Sequence, residues 1–210
     1  MKMAVIFGII VFVGFLAIYM LFNKSSSNQP QAAPNFLTPT PSPTISVNTP
    51  TPVPTIPETD RVSAKAAIIK TVKGNIEVEL YASEAAKTVM NFATLSKRGY
   101  YNNLTFHRVE DWVIQGGDPN GDGSGGISIY GPTFEDEITP DSDLYKAGYV
   151  RGVLAMANRG PNTNGSQFFI IKKDTPLQPN YAIFGKVTKG LEVVDSIVPG
   201  DKITGIELQH

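Results

Sequence analysis

The chain has 210 residues, of which 41% are hydrophobic and 18% charged, and its formal net charge is -1. It is long enough for one ordinary hydrophobic core, and its near-zero charge indicates no general attraction to nucleic acid. The chain has no cysteine and only two histidines, which excludes disulfides and thiol nucleophiles and argues against a zinc centre.

The first 22 residues are predicted to form a transmembrane anchor. The run from Ala4 to Phe22 is uncharged over 19 residues. As a helix that rises about 1.5 Å per residue, it roughly matches a hydrocarbon core about 30 Å thick. A cleaved signal peptide is the alternative, but its apolar region is about 7 to 15 residues long and ends at small residues. We therefore expect a single-pass location in a cell membrane, with the rest of the chain outside the cytoplasm.

Residues 23 to 61 predict a linker rich in proline, threonine and serine. Nine of the sixteen prolines fall in this stretch. Proline fixes φ near about -65° and lacks an N–H donor, so the segment is expected to be extended polyproline II. It is either a stalk that holds a domain away from a membrane or a tether with no required length. Residues 62 to 210 remain as the working domain.

The sequence of the working domain predicts many short strands and few helices. Residues 65 to 81 contain two strand-like runs around Lys73 and Gly74, which indicate a hairpin with one wet face. Residues 83 to 99 have apolar positions at helical spacing and end at a glycine, which predicts an amphipathic helix. Short apolar runs follow, then a second short helix in KGLEVVDSIV and a closing strand in KITGIELQ. This pattern favours an antiparallel barrel or sandwich.

Three segments of the domain resemble the signature sequences of one family. They are FHRVEDWVIQGGDPNGDGSGG (Phe106 to Gly126), MANRGPNTNGSQFFI (Met156 to Ile170) and FGKV (Phe184 to Val187). In order and spacing they are similar to those of the cyclophilins, which are peptidyl-prolyl cis-trans isomerases. The resemblance spans nearly all of residues 65 to 209. It implies a mainly β fold, a closed eight-stranded antiparallel barrel capped by two α-helices, with a substrate groove on the outside.

The implied reaction needs no covalent chemistry. An X-Pro bond rotates over a barrier of about 18 to 20 kcal/mol that amide resonance sets. A site lowers this barrier by holding the proline ring in an apolar pocket and stabilising the twisted amide more than the planar one. A fixed cationic donor near the amide nitrogen suits this task. We therefore expect no cofactor and no metal.

The resemblance assigns catalysis to Arg108 and Gln115. Arg108 matches the catalytic arginine of the family's F-H-R motif, and its guanidinium remains charged and directional. Phe106 and Arg108 are expected on one strand face and His107 on the other, because side chains alternate along a strand. His107 is expected to be structural, since no Ser or Cys motif for a hydrolase triad accompanies it.

The remaining expected site residues form a proline pocket and a polar rim. Val113, Phe169 and Leu177 are expected to line the apolar pocket. Asn158 and Gln167, with Gln115, are expected to bind the peptide by hydrogen bonds, and Ala157 falls on the rim. Phe106, Trp112 and Tyr181 complete the expected substrate-binding set.

Several positions depart from the family's usual pattern. The segment VEDWVI after Arg108 is one residue shorter than in the commonest members, and Trp112 stands in place of a phenylalanine. Arg159 replaces a small residue, and either adds charge to the groove or points to water. Pro176 and Tyr181 stand where many members have a tryptophan and a histidine, which alters the far wall of the pocket.

We therefore predict a membrane-anchored, bacterial-like, monomeric cyclophilin-type isomerase. Its expected partners are unfolded or extended polypeptides that contain X-Pro bonds. Its expected task is to assist the folding of exported proteins. The alternative is a membrane-tethered proline-peptide binding module or chaperone with little catalysis, after changes at Trp112, Arg159 and Tyr181. Arg108 favours the enzyme, because a pure binder has less need of a charge aimed at the amide nitrogen.

Overall fold

The structure, a computed structural model, describes residues 55 to 210. The predicted membrane anchor and most of the predicted linker lie outside these residues. In chain order the elements are a 3-10 helix Glu58–Asp60, β1 Ala66–Thr71, β2 Gly74–Leu80, α1 Ala86–Lys97, β3 Arg108–Val109, β4 Val113–Gly116, α2 Asp143–Ala147, β5 Val153–Met156, β6 Phe168–Ile171, β7 Ile183–Lys189, α3 Leu191–Ser196 and β8 Ile203–Gln209.

The eight strands form one antiparallel sheet in the order β3-β4-β6-β5-β7-β2-β1-β8. This confirms the predicted mainly β fold with eight antiparallel strands, but the sheet is a half-barrel, so the predicted closed barrel is corrected. The end strand β3 has only two residues and is too short to run alongside β8. The two ends meet only at short contacts outside β3, such as the bond from the Phe106 N–H to the Asp201 carbonyl at 2.9 Å.

The predicted hairpin and the two predicted helices are present. In β1 and β2 every second residue is buried, because one face of the hairpin covers the core and the other meets water. Helix α1 buries Val89, Phe92 and Leu95 against the sheet. It ends before Gly99, whose φ of 70° is a left-handed conformation that glycine adopts readily. The second predicted helix is α3, and α2 is a short additional one.

The strands β4, β5 and β6 are buried on both faces. The inner face joins the main core together with α1. The outer face carries a second group of buried apolar side chains, here called the outer cluster. Its members are Val113, Tyr149, Val153, Ala155, Phe169, Ile171 and Ile183. The outer cluster forms the base on which the site described below is built.

Residues 56 to 61, predicted as the end of the linker, contact the packed domain. The Ile56 N–H donates to the Ile129 carbonyl at 2.9 Å. The guanidinium of Arg61 lies 4.8 Å from the centre of the Tyr130 ring, a cation–π contact. These contacts attach the chain to the domain several residues before the predicted start at residue 62.

Candidate active site

A row of cross-strand neighbours runs over the outer face of the sheet. Arg108 on β3 is paired with Gln115 on β4, Gln115 with Phe169 on β6, and Phe169 with Ala155 on β5. Side chains of directly opposed residues lie on the same face, with Cβ atoms about 4.5 to 5.5 Å apart. The register of the sheet therefore places a cation, an amide and an aromatic ring side by side.

A cavity of about 580 Å³ opens above this row. Its wall is formed by His107, Arg108, Trp112, Gln115, Asp122, Gly123, Ala157, Asn158, Phe169, Leu177 and Tyr181. Phe169, Leu177 and Tyr181 form the apolar part of this wall. Val113, which was predicted to line the pocket, is fully buried in the outer cluster beneath them and is not one of the lining residues. The cavity thus combines an apolar base with one cationic edge.

Tyr181 forms the far wall of this cavity with Phe169. The two rings meet edge to face, with centres 5.3 Å apart and planes at 90°, which is a favourable aromatic arrangement. The hydroxyl of Tyr149 donates to the Tyr181 carbonyl at 2.9 Å and accepts from its N–H at 3.1 Å. Burial raises the pKa of Tyr149 to about 12, so this hydroxyl keeps its proton. The Tyr149 hydroxyl therefore holds the backbone of Tyr181 in place through both of its peptide groups.

Arg108 stands at the edge of the cavity with its guanidinium held by three neighbours. Its Nη1 donates to Gln115 Oε1 at 3.3 Å, and its Nε donates to Glu110 Oε1 at 2.6 Å. The guanidinium also lies 5.2 Å from the centre of the Trp112 ring. The side chain is 43% exposed, so the cation is fixed in direction while it remains open to a ligand.

Gln115 and Gln167 continue a chain of hydrogen bonds away from Arg108. Gln115 Nε2 donates to Gln167 Oε1 at 2.9 Å. Gln167 Nε2 donates in turn to the carbonyls of Gly123 and Gly125 at 3.0 and 2.8 Å. Gln167 is only 7% exposed. Its amide therefore holds the glycine-rich loop, whereas the sequence had predicted a hydrogen bond to the peptide.

The glycine-rich loop, residues 118 to 126, is organised by a carboxylate that lacked a predicted role. Asp118 is buried, and its oxygens accept from the backbone N–H groups of Asn120, Asp122 and Gly123 at 2.9, 3.1 and 2.5 Å. At Gly126, φ is 104° and a Cβ would come 2.5 Å from Ser166 Oγ, so the position requires glycine. The loop is thus a rigid wall of the groove.

A second cavity of about 360 Å³ adjoins the first on the side of this loop. Ala157 and Asn158 line both cavities. Asn158 Nδ2 donates to the Asn180 carbonyl at 2.7 Å. Arg159 Nη2 donates to the Ser124 carbonyl at 2.8 Å, so this arginine spans from the rim to the glycine-rich loop. The predicted rim residues are therefore brought together with the predicted pocket.

The structure separates Phe106 from the other predicted site residues. Phe106 is fully buried in the main core and packs edge to face against Phe168 at 6.5 Å. The predicted sharing of one face with Arg108 is corrected, because β3 begins only at Arg108 and Phe106 precedes it in irregular chain. Phe106 thus supports the site from inside and has no surface to offer a peptide.

His107 lies between these two residues and lines the larger cavity. Neither ring nitrogen has a hydrogen-bond partner among residues 55 to 210. Burial lowers the pKa of His107, although the carboxylates of Asp118 and Asp122 act in the opposite direction. The imidazole is therefore mainly neutral at neutral pH.

Curated proteins with similar sequences carry isomerase names. Peptidyl-prolyl cis-trans isomerase-like 1 of Neurospora crassa is 54% identical over 138 residues, which cover 64% of this chain and 82% of that protein. Peptidyl-prolyl cis-trans isomerase ppi1 of Schizosaccharomyces pombe is 55% identical over 127 residues, 60% of this chain and 79% of that protein. The isomerase-like 1 protein of Bos taurus is 50% identical over 131 residues, 61% and 76% of the two chains.

These relatives correct the prediction of a membrane-anchored, bacterial-like protein. They come from fungi and a mammal, and they contradict a single-pass location in a cell membrane with the domain outside the cytoplasm. Within residues 55 to 210, no helix has both the length and the apolar character that crossing a membrane requires. The run from Ala4 to Phe22, on which that prediction rested, lies outside the described residues.

Solved structures and a family model give the same assignment. A crystal structure of a cyclophilin type peptidyl-prolyl cis-trans isomerase from Cryptosporidium parvum has a TM-score of 0.63 and 40% identity, over 70% of this chain and 98% of that one. The same protein in the presence of the dipeptide Ala-Pro has a TM-score of 0.62 and 39% identity, over 69% and 99%. The family model for cyclophilin type peptidyl-prolyl cis-trans isomerases matches residues 66–205. The chain therefore belongs to the cyclophilin-type peptidyl-prolyl cis-trans isomerase family and is an isomerase of that type.

Proposed function

We propose that this isomerase binds an extended X-Pro segment across the larger cavity and catalyses rotation with Arg108. The proline ring would lie on Phe169, between Leu177 and Tyr181, above the outer cluster. The observation that carries the proposal is the cross-strand row, which fixes Arg108 beside Gln115 and Phe169. The base of the pocket is apolar and its edge is cationic, which matches a proline ring joined to a polar amide.

The proposed chemistry is stabilisation of the twisted amide without proton transfer. As the X-Pro bond rotates, its nitrogen loses conjugation with the carbonyl and regains a lone pair that accepts a hydrogen bond. A guanidinium N–H of Arg108 donates to this lone pair more strongly in the twisted state than in the planar one. Only such a differential contact accelerates the reaction, and each 1.36 kcal/mol gives about a factor of ten in rate.

Gln115 has a positioning role in this proposal. Its Oε1 accepts from Arg108 and its Nε2 donates to Gln167, which is buried and fixed to the glycine-rich loop. The hydrogen-bond chain therefore links the cation to a rigid wall of the groove. Preorganised donors of this kind need no rearrangement when the charge distribution of the substrate changes.

The proposed substrates are proline-containing polypeptide segments in extended form. Both cavities are open and contiguous along the rim, so a chain can enter and leave at either end. The related Cryptosporidium parvum protein was crystallised in the presence of Ala-Pro, which supports a short X-Pro unit as the minimal ligand. We expect flanking residues to contribute through the second cavity.

The test is NMR exchange between the cis and trans forms of a short X-Pro peptide with the full chain. Removal of a preorganised donor costs about 10² to 10³ in rate in other enzymes, so Arg108→Ala is expected to lower kcat/KM by about that factor. Arg98→Ala is the matched control, because Arg98 is an exposed arginine that pairs with Asp60. Full exchange rates in a folded Arg108→Ala protein would refute the assigned role of Arg108.

A further inference from the structure

The short turn between β3 and β4 places a carboxylate against the proposed catalytic arginine. Glu110 lies two residues after Arg108, just beyond the end of β3, and its carboxylate contacts the guanidinium. The Glu110 N–H donates to the Val113 carbonyl at 2.9 Å, which fixes the backbone of the turn. Trp112 stands at the tip of the turn, within reach of both side chains.

Glu110 uses its two oxygens for two different partners. Oε1 accepts from Arg108 Nε at 2.6 Å, and Oε2 accepts from Trp112 Nε1 at 2.8 Å. The guanidinium in turn lies over the Trp112 ring at 5.2 Å. The three side chains therefore form a closed set of contacts in which each one touches the other two.

We propose that Glu110 is a positioning residue for the isomerase reaction, which clamps Arg108 onto Trp112 and so fixes the direction in which the guanidinium donates. This inference rests on the proposed role of Arg108. It also gives a common purpose to two departures of this chain from its family's usual pattern, the shortened turn and the tryptophan at position 112.

The hydrogen bonds of Arg108 show what the clamp leaves free. Nε is taken by Glu110 and Nη1 by Gln115. Nη2 has no hydrogen-bond partner among residues 55 to 210, and the side chain lines the larger cavity. The clamp therefore takes Nε alone and leaves Nη2 available to a substrate amide.

The clamp is expected to act on the reaction and not on folding. The side chains of Arg108 and Glu110 are 43% and 45% exposed, and exposed ion pairs contribute little to stability. An unclamped arginine, however, samples many rotamers, and a small misplacement of a catalytic group lowers the rate strongly. The hydrogen bonds from Arg108 and Trp112 lower the pKa of Glu110, so the carboxylate remains charged through the neutral range.

The first test is a set of substitutions in the full chain, with kcat and KM measured separately by peptide exchange. Glu110→Gln and Glu110→Ala are expected to lower kcat about tenfold and to change KM little, because the clamp affects orientation in the transition state. Asp111→Asn is the matched control. It removes a negative charge from the same turn, and Asp111 has no ion pair or side-chain hydrogen bond within the described residues.

The second test is spectroscopic, since Trp112 is the only tryptophan of the chain. Its fluorescence reports the clamp directly, because its indole N–H donates to Glu110. Glu110→Gln is expected to shift the emission of the folded protein, and Asp111→Asn is expected to leave the emission as it is. Circular dichroism with thermal unfolding verifies that each variant is folded, and Glu110→Gln serves if Glu110→Ala does not fold.

The outcomes separate the clamp from the role of Arg108. If Arg108→Ala is inactive while both Glu110 variants keep kcat within about twofold, the clamp is wrong and the role of Arg108 stands. If Arg108→Ala is fully active, the role of Arg108 fails, and the clamp fails with it. An equal loss in Asp111→Asn would reduce the effect to general charge and overturn the inference. In the Arg108→Ala background, Glu110→Ala is expected to cause no further loss, whereas an additive loss would contradict the clamp.

Discussion

The inner and outer faces of strand β6 differ in function although both are buried. Phe168 and Phe169 are neighbours in sequence, with 0% and 5% of their surface exposed. Phe168 points inward and meets the rings of Phe92 and Tyr101 edge to face at 5.5 and 5.6 Å. Phe169 points outward and meets Tyr181 beside an open cavity. Burial alone therefore does not separate a core residue from a site residue.

The difference lies in what covers each face. Helix α1 covers the inner face with apolar side chains such as Phe92 and Leu95. Loops cover the outer face, and they are held by polar side chains such as Gln167 and Asp118. Loops of this kind leave a cavity where a helix would fill it. We therefore expect substitutions on the inner face to lower stability and those on the outer face to lower activity.

The largest expected effect is the contrast between Phe168→Ala and Phe169→Ala. Removal of a fully buried phenylalanine costs about 3 to 5 kcal/mol, so Phe168→Ala is expected to lower the free energy of unfolding by that amount. Its activity per folded molecule should survive. Phe169→Ala is expected to cost less stability and to raise KM for an X-Pro peptide.

Urea unfolding and peptide exchange on the same samples measure both sides of this contrast. Exchange rates are to be normalised to the folded fraction, which the unfolding curve gives. If Phe168→Ala and Phe169→Ala lose equal stability and have equal exchange rates per folded molecule, the inner face does not serve mainly stability and the outer face does not serve mainly activity.

A smaller effect is expected from Gln167→Ala, which breaks the hydrogen-bond chain of the outer face. The carbonyls of Gly123 and Gly125 lose their donor, and Gln115 loses its acceptor. Unsatisfied buried polar groups cost about 1 to 3 kcal/mol. We expect a loss of stability in this range together with faster amide hydrogen exchange in residues 120 to 125.

Gln209→Ala is the matched control for this prediction, because Gln209 is an exposed glutamine at the end of β8, far along the sheet from β6. It is expected to leave both the stability and the exchange rates of the loop unchanged. If Gln167→Ala also leaves the loop protected, the loop is held by Asp118 alone and the chain of hydrogen bonds has no role in it.

The sequence predicted elements that depend on local signals. Two examples are the turn at Lys73 and Gly74 and the end of α1 before Gly99. Both depend on the freedom of glycine to adopt a positive φ, which is a property of the residue itself and can be read from the local sequence. The family resemblance also brought Arg108, Gln115 and Phe169 together, and the register of the sheet agrees with that grouping.

The sequence did not predict features that depend on distant partners. The partners of Gln167 lie 42 to 52 residues away in the chain, so its use as a loop anchor is not visible in a local motif. Phe106 was misplaced because the start of β3 depends on pairing with β4. Glu110 was missed because a charged residue in a short turn usually lies in water, and only the positions of Arg108 and Trp112 reveal its contacts.

The smallest expected effect concerns His107, which lies where the chain passes from the inner face to the outer one. Burial lowers its pKa in the folded state, so between the folded and unfolded pKa values the unfolded chain binds more protons. Stability therefore falls as pH decreases through the ordinary histidine range and down to the folded pKa.

Because carboxylates also titrate in acid, the prediction is a difference: His107→Gln should lose less stability between pH 8 and about pH 5 than the unchanged protein. Urea unfolding at a series of pH values measures this difference, and NMR titration of the imidazole, with His210→Gln to assign the signals, gives the pKa directly. Identical pH slopes in both proteins, with a His107 pKa at its usual value, would contradict the prediction. A His107 pKa above its usual value, with the unchanged protein losing less stability in acid than His107→Gln, would mean that nearby Asp118 and Asp122 outweigh burial.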